Sequence, residues 1–361
     1  MNTFIPAPVK SKTAHDPSCV AAADRFVAAN KELSDRSSWA VRMQLSVNLF
    51  LWHLSAFSKD TDPRPLFVEA FDNATKILEI CAQTTLLNEN FPQYPEGEAP
   101  DFEKTVSGLF SDVWVDMSDD IYFDQSYEFT KERFEKNGID PYELFGGKVI
   151  LDGGCGSGKF SAALARFGAK KVIGLDIGEM GLEFARKQAA KVDYGDRLDF
   201  RFGSLLDIPL EENSVDMVWS NGVIHHTLGY EKCISEFARV LKSNGMLFLY
   251  VNGSFGLFEL LQDKLREANS DIPRPLLQTY LKFLGVNSGR LYWLMDHLSA
   301  PYEWKSDAEV RDMLERNGFS DIKQMLRGVA SDQIEQVTCG LPYAEVKYGE
   351  AQLKYLCRIV K

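Results

Sequence analysis

Leu151-Asp152-Gly153-Gly154-Cys155-Gly156-Ser157-Gly158 is the stretch whose reading decides the fold. It follows the apolar run Val149-Ile150-Leu151 and opens into the helical pattern Lys159 to Phe167. Glycines there let the backbone turn sharply and come close to a ligand. The helix that follows presents free N–H groups to an anionic group such as a carboxylate. In an open parallel sheet, ligands bind beyond the carboxyl ends of the strands. The spacing excludes two common relatives of such a turn. Counting from Gly154 and Gly156, a dinucleotide fingerprint needs a third glycine where Lys159 stands, which disfavours an NAD-dependent dehydrogenase. A phosphate loop needs Ser or Thr after the lysine, and Phe160 is there instead.

Outward from this turn the chain alternates short apolar runs with helical patterns. Lys171–Ile177, Leu198–Gly203, Val215–Ser220 and Gly245–Asn252 read as strands, and Glu179–Ala190 and Tyr230–Leu241 as helices. Continuously apolar strands alternating with helices predict a parallel sheet covered on both faces. A helix over Asp307–Asn317, the segment Phe319–Leu326 and a last strand near Gln352–Val360 complete the pattern. The second strand ends in Gly174-Leu175-Asp176-Ile177. An acid about twenty residues past a glycine turn can accept hydrogen bonds from both ribose hydroxyls. A solvated loop acid or a helix cap is the plainer alternative for Asp176, and its pairing with the glycine turn disfavours that alternative.

With these two motifs go Val215-Asp216-Met217-Val218-Trp219-Ser220-Asn221-Gly222-Val223-Ile224-His225-His226-Thr227 and Glu236-Phe237-Ala238-Arg239-Val240-Leu241-Lys242-Ser243-Asn244-Gly245. In this order, from roughly Leu109 to Val360, the chain resembles class I S-adenosylmethionine-dependent methyltransferases, in the branch of mostly small-molecule enzymes. The resemblance implies an α/β, Rossmann-like, doubly wound and mostly parallel seven-stranded sheet with an antiparallel last strand. To this are added an N-terminal helical region and a helical lid insert. It implies S-adenosyl-L-methionine as cofactor, with Asp152, Gly153, Gly154, Cys155 and Gly156 at its methionine end. Asp176 would hold the ribose and Ile177 would lie against the adenine. The turn after the third strand, where the family often carries an Asp toward the adenine, reads Gly203-Ser204-Leu205-Leu206-Asp207, so Ser204 and Leu205 take that place. Asn221 and Gly222 would pass beside the methionine moiety. The segment Met117–Tyr127 would close over the cofactor, with Tyr122 or Phe123 facing the sulfonium; core packing of those rings is equally compatible.

Methyl transfer is an in-line displacement in which alignment and exclusion of water do much of the work. A general base is needed only if the acceptor must lose a proton. His225 and His226, just past the fourth strand, are the candidates, since imidazole has a suitable pKa. Their alternative role is to shape the loop. The aromatic-rich insert 253–305 falls where a lid belongs, and its end brings His297, Tyr302 and Trp304 as candidate lining for an acceptor pocket, with Tyr302 a third catalytic candidate; helix packing is their alternative.

The N-terminal stretch carries two helical stripes. One is Met43, Val47, Phe50, Leu54, Phe57, and the other is Phe67, Phe71, Ala74, Leu78, Cys81. Asn88–Asp101, with three prolines, reads as a linker. The expected organisation is a helical region and linker over 1–105 and a methyltransferase domain over 106–361. The N-terminal helices would complete the pocket, form a homodimer or bind a protein partner. Arg42, Gln44, Asn48 and His53 make the most apolar stretch too polar to span a membrane. A net charge of -12 argues against a nucleic-acid footprint. The six scattered cysteines show no zinc-type spacing, so no metal is expected, and they suit a reduced, cytoplasmic setting. The sequence therefore points to a methyltransferase acting on a small-molecule acceptor. A non-catalytic cofactor-binding scaffold and a protein methyltransferase are the alternatives.

Overall fold

Seven strands form one sheet in the order β3-β2-β1-β4-β5-β7-β6. They are β1 (Val149–Gly153), β2 (Lys171–Asp176), β3 (Leu198–Phe202), β4 (Val215–Asn221), β5 (Leu241–Asn252), β6 (Phe319–Gln324) and β7 (Gln352–Ile359). The computed structural model describes residues 14–33, 36–83, 118–286 and 288–361. The linker expected over Asn88–Asp101, the start of the expected methyltransferase domain at 106–117 and residue Met117 lie outside the described residues.

Strands β1 to β5 pair in parallel, whereas β7 runs antiparallel to both β5 and β6, between which it lies. The last strand is thus the antiparallel one, as the resemblance implies. The central strands are mostly apolar because helices cover both faces. On one face Leu151, Val218, Leu247 and Leu249 pack with Phe237 and Leu314. On the other, Ile150, Val172, Trp219 and Phe248 pack with Phe134, Phe145 and Phe167. β5 begins at Leu241, four residues before the expected Gly245. Leu241 already pairs with Val215, and the register then shifts before Met217 meets Met246. The turn read at Lys242–Gly245 is absorbed as an irregularity in the strand, with Asn244 in the left-handed region at φ 61°.

The N-terminal helices are α1 (Pro17–Glu32), α2 (Trp39–Phe57) and α3 (Pro63–Gln83). Asp16 caps α1, its carboxylate accepting from the N–H groups of Ser18 and Cys19, with Pro17 in the first turn. Between them and the glycine loop come a π-helical turn (Asp120–Gln125), α4 (Ser126–Lys136) and α5 (Pro141–Phe145). The helices α6 (Lys159–Arg166), α7 (Glu179–Ala189) and α8 (Tyr230–Val240) alternate with the strands. The insert forms α9 (Leu257–Ala268), α10 (Arg274–Phe283) and α11 (Ser288–Ser299). Helices α12 (Asp307–Arg316), α13 (Gln333–Thr338) and α14 (Ala344–Tyr348) lie around the last two strands in sequence.

The N-terminal helices and the insert share one core, in which Phe26, Phe50, Phe67 and Phe71 pack with Leu261, Leu265, Leu294 and Leu298. Arg42 pins them together. Its buried guanidinium donates to both carboxylate oxygens of Asp271 (2.8 and 2.5 Å) and to the carbonyls of Ala268 and Leu33. Both predicted stripes lie on helices, but Leu54 is exposed and Cys81 only half-buried. Among the described residues no helix is long and apolar enough to cross a membrane.

Candidate cofactor and acceptor site

The glycine loop is held in place by its own backbone. The N–H groups of Gly154 and Cys155 both donate to the carbonyl of Leu175, at 2.8 and 3.1 Å. Gly154 has φ 78°, and a Cβ there would stand 2.3 Å from a methyl carbon of Val223, so the position admits no side chain. The Gly156 N–H donates to Oδ2 of Asp176 and the Gly178 N–H to Oδ1, both at 2.8 Å. Burial pushes the Asp176 carboxyl upward, and these backbone bonds oppose that shift.

Above the loop lies a cavity of about 850 Å³ at the carboxyl ends of the strands. Gly154, Cys155, Gly156, Asp176 and Ile177 line one end, joined by Ser204 and Leu205. Asn221 and Gly222 line the middle, and His225, His226, His297 and Tyr302 the far end. Two residues expected at the cofactor's methionine end do not reach the wall. Asp152 is buried beneath it, accepting from the hydroxyl of Ser161 at 2.6 Å, and burial pushes its carboxyl up to about 7. Gly153 is packed between Leu205 and Phe237. The Ser204 hydroxyl accepts from the Leu206 N–H at 3.2 Å and so shapes its own turn. Trp304 stands behind the wall, its indole N–H donating to Asp263 at 2.6 Å and its ring 4.4 Å from that of Tyr302.

Tyr122 packs inward. Its ring is fully buried edge-on against Phe123 and Phe184, and neither Tyr122 nor Phe123 lines the cavity. The same segment instead supplies Gln125, Ser126, Phe129 and Arg133. Arg133 makes two parallel bonds to Asp332, at 2.8 and 2.7 Å, and the buried Lys354 ammonium donates to the same carboxylate at 2.6 Å. Burial raises the Asp332 carboxyl, but the two cations outweigh it and bring the group to about 2. Lys159, on the wall nearby, is pushed down to about 8 by burial and by Arg133. This cationic corner carries no local sequence signature, because α4, α6 and β7 come together only in the fold.

At the far end the Tyr302 ring stacks on His225 at 4.4 Å and stands edge-on to His226 at 4.8 Å. The Tyr302 hydroxyl accepts from the side-chain amide of Asn252, and burial raises its pKa well above the usual phenol range, so it stays protonated. Burial lowers the imidazolium pKa of both His225 and His226. Asp296 and Trp293, on α11, also line this end; the sequence places an acid beside His297 there but gives no partner for it.

Residues 151–249 match the family model of a methyltransferase domain. Over these residues the chain is similar to S-adenosylmethionine-dependent methyltransferases. The matched span runs from β1 to β5 and contains the glycine loop, Asp176 and both cavity-lining histidines of the β4 loop. The chain is 32% identical over 133 residues to the 27-O-demethylrifamycin SV methyltransferase of Amycolatopsis mediterranei, covering 36% of this chain and 48% of that protein. It is 33% identical over 142 residues to the malonyl-[acyl-carrier protein] O-methyltransferase of Yersinia pestis, covering 38% and 51%. It is 34% identical over 104 residues to the sterol 24-C-methyltransferase of Saccharomyces cerevisiae, covering 29% and 27%. The chain thus spans about half the length of the first two relatives and less of the third. The acceptors in these names differ in kind, so the methyltransferase domain they share does not determine the acceptor class.

Proposed function

We propose that this chain is an enzyme that transfers a methyl group from S-adenosyl-L-methionine to a small-molecule acceptor. The observation that carries the proposal is the single continuous cavity joining the Asp176 end to the histidine and aromatic end. One end suits the cofactor and the other a second molecule, so donor and acceptor meet inside the protein.

The residues present fit the cofactor. The Asp176 carboxylate accepts the backbone N–H groups of Gly156, Gly178 and Ile177, and the acceptor capacity left on its two oxygens suits a ribose hydroxyl. The apolar side chains of Ile177 and Leu205 would flank the adenine, and the missing side chain at Gly154 leaves room for the methionine moiety. Arg133 and Lys159 supply positive charge for its carboxylate. When bound, the cofactor supplies an electrophilic methyl group. The chain's own contribution is to align the acceptor and keep water out. Phe258, Trp293 and Tyr302 give the acceptor end an apolar, aromatic wall.

Calorimetric titration with S-adenosylmethionine, with NAD as control, tests this reading. Micromolar binding of the former alone is expected; binding of NAD in its place, or of neither, would overturn it. Association through the N-terminal helices belongs to the same reading. Leu51, Leu54, Ile77 and Ile80 are exposed on α2 and α3, and light scattering tests whether a second copy covers them.

A further inference from the structure

Histidines apart, the charged side chains that line the cavity among the described residues are Arg133, Lys159, Asp176 and Asp296. The first three have a task in the reading above: the two cations face the donor's carboxylate, and Asp176 faces its ribose. Asp296 has none. It sits on the lid helix α11 at the acceptor end, with its side chain 16% exposed. Its Oδ1 is buried and accepts no hydrogen bond.

The charged and titratable groups packed around Asp296 leave its charge unmatched. Nε2 of His226 lies 3.4 Å from Oδ1, and Nδ1 of His297 lies 3.8 Å from Oδ2. Burial lowers both imidazolium pKa values, that of His297 to about 4, so neither ring supplies a standing positive charge near neutrality. Tyr302 keeps its proton and is neutral. Arg266, from α9, donates to the backbone carbonyl of Asp296 at 3.3 Å, and its side-chain partners are Asp263 at 3.3 Å and Gln262 at 3.1 Å. Asp263 therefore offsets Arg266, and the acceptor end holds two carboxylates against one guanidinium.

An acceptor that fills this end displaces the water around the Asp296 carboxylate. A neutral apolar group in that place leaves a desolvated charge without a partner, which is strongly unfavourable. An ammonium restores the pairing where the low dielectric makes charge attraction strong. Phe258 and Trp293 line the same end, and aromatic rings attract cations. Tyr302 already stacks on His225 at 4.4 Å and carries Arg266 over its ring at 4.6 Å, so it bounds the site without binding a further charge.

We propose that the acceptor carries a cationic amine and that Asp296 anchors it, in a pocket whose aromatic rings hold the apolar part of the molecule. The inference rests on the methyltransferase reading and deepens it, because it names the group by which the acceptor is held. Charge then runs in order along the cavity. Arg133 and Lys159 meet the donor's carboxylate, Asp296 meets the acceptor's cation, and a molecule of the wrong sign is repelled at either end.

The test is calorimetry of the full chain, saturated with S-adenosylhomocysteine at neutral pH, against three probes that share a benzene ring: 2-phenylethylammonium, 2-phenylethanol and phenylacetate. The ammonium is expected to bind at least about tenfold more tightly than the alcohol, with phenylacetate weakest. Asp296→Asn should remove that preference and leave affinity for the alcohol and for S-adenosylhomocysteine unchanged, which reports an intact site. The inference is overturned if the alcohol binds as well as the ammonium, if phenylacetate binds most tightly, if none of the three binds, or if Asp296→Asn keeps the preference. A second arm compares S-adenosylmethionine with S-adenosylhomocysteine in the same variant. Equal effects on the two are expected; a loss confined to S-adenosylmethionine would assign Asp296 to the donor's sulfonium and overturn the inference. The two levels separate cleanly. If the unaltered chain binds neither donor form, the methyltransferase reading fails; if it binds them and shows no preference for the ammonium, only the present inference fails.

Discussion

Asp176 holds backbone N–H groups with both carboxylate oxygens, on the glycine loop and at the start of α7. It is therefore a brace as well as a candidate ribose acceptor. Asp176→Asn keeps the shape but turns an amide toward one of those N–H groups. Its expected effects are a loss of S-adenosylmethionine affinity of at least about tenfold and a loss of stability of about 1–3 kcal/mol. Calorimetry and thermal melting check the two separately. Asp152 makes a different prediction. Its carboxyl, raised from 3.8 to about 7, is neutral in the folded protein at low pH. A raised carboxyl contributes stability below its unfolded value, and that contribution is lost as pH rises through the folded value. In the cofactor-free chain, melting temperature should fall between about pH 4 and pH 7 and level off above that. Asp152→Asn should flatten that fall and raise the melting temperature at the upper end of the window, as thermal melts across pH will show.

At the scale of elements, Phe50 shows what holds the lid. It is fully buried on α2 and touches His53, Phe258, Trp293 and His297. Phe50→Ala should cost about 3–5 kcal/mol by opening a cavity at this junction. Because Phe258, Trp293 and His297 also line the acceptor end, acceptor affinity should drop while S-adenosylhomocysteine affinity holds. Denaturant melts and calorimetry check the pair. The strands and sheet helices are legible in the sequence because their signals are local. Burial on both faces makes β1, β2 and β4 continuously apolar, and the glycine spacing marks the loop. The π-helical turn at Asp120–Gln125 has no such signal. Periodicity finds α2 and α3 but does not say which element covers them, which is why their common core with the insert is invisible in the sequence. The same holds for the cationic corner at Arg133 and for Asp296 facing His226, each assembled from segments remote in the chain.

For the molecule as a whole, the shared core makes the N-terminal helices and the lid one layer over the sheet. A chain shortened to begin at Ser118 would uncover Leu261, Leu265, Leu294 and Leu298 together. It would also leave Asp271 without the Arg42 guanidinium. Such a chain is expected to aggregate or run far above its monomer mass in size-exclusion chromatography. The order of strands bears on how the molecule is made. β7 is synthesised after β6 yet lies between it and β5. While the chain is still emerging from the ribosome, β5 presents an open edge and β6 has no neighbour in the sheet until residue 359 has cleared the exit tunnel. The nascent protein is therefore most exposed to wrong edge-to-edge pairing at the very end of this stretch of translation, after the ligand-facing strands have already formed.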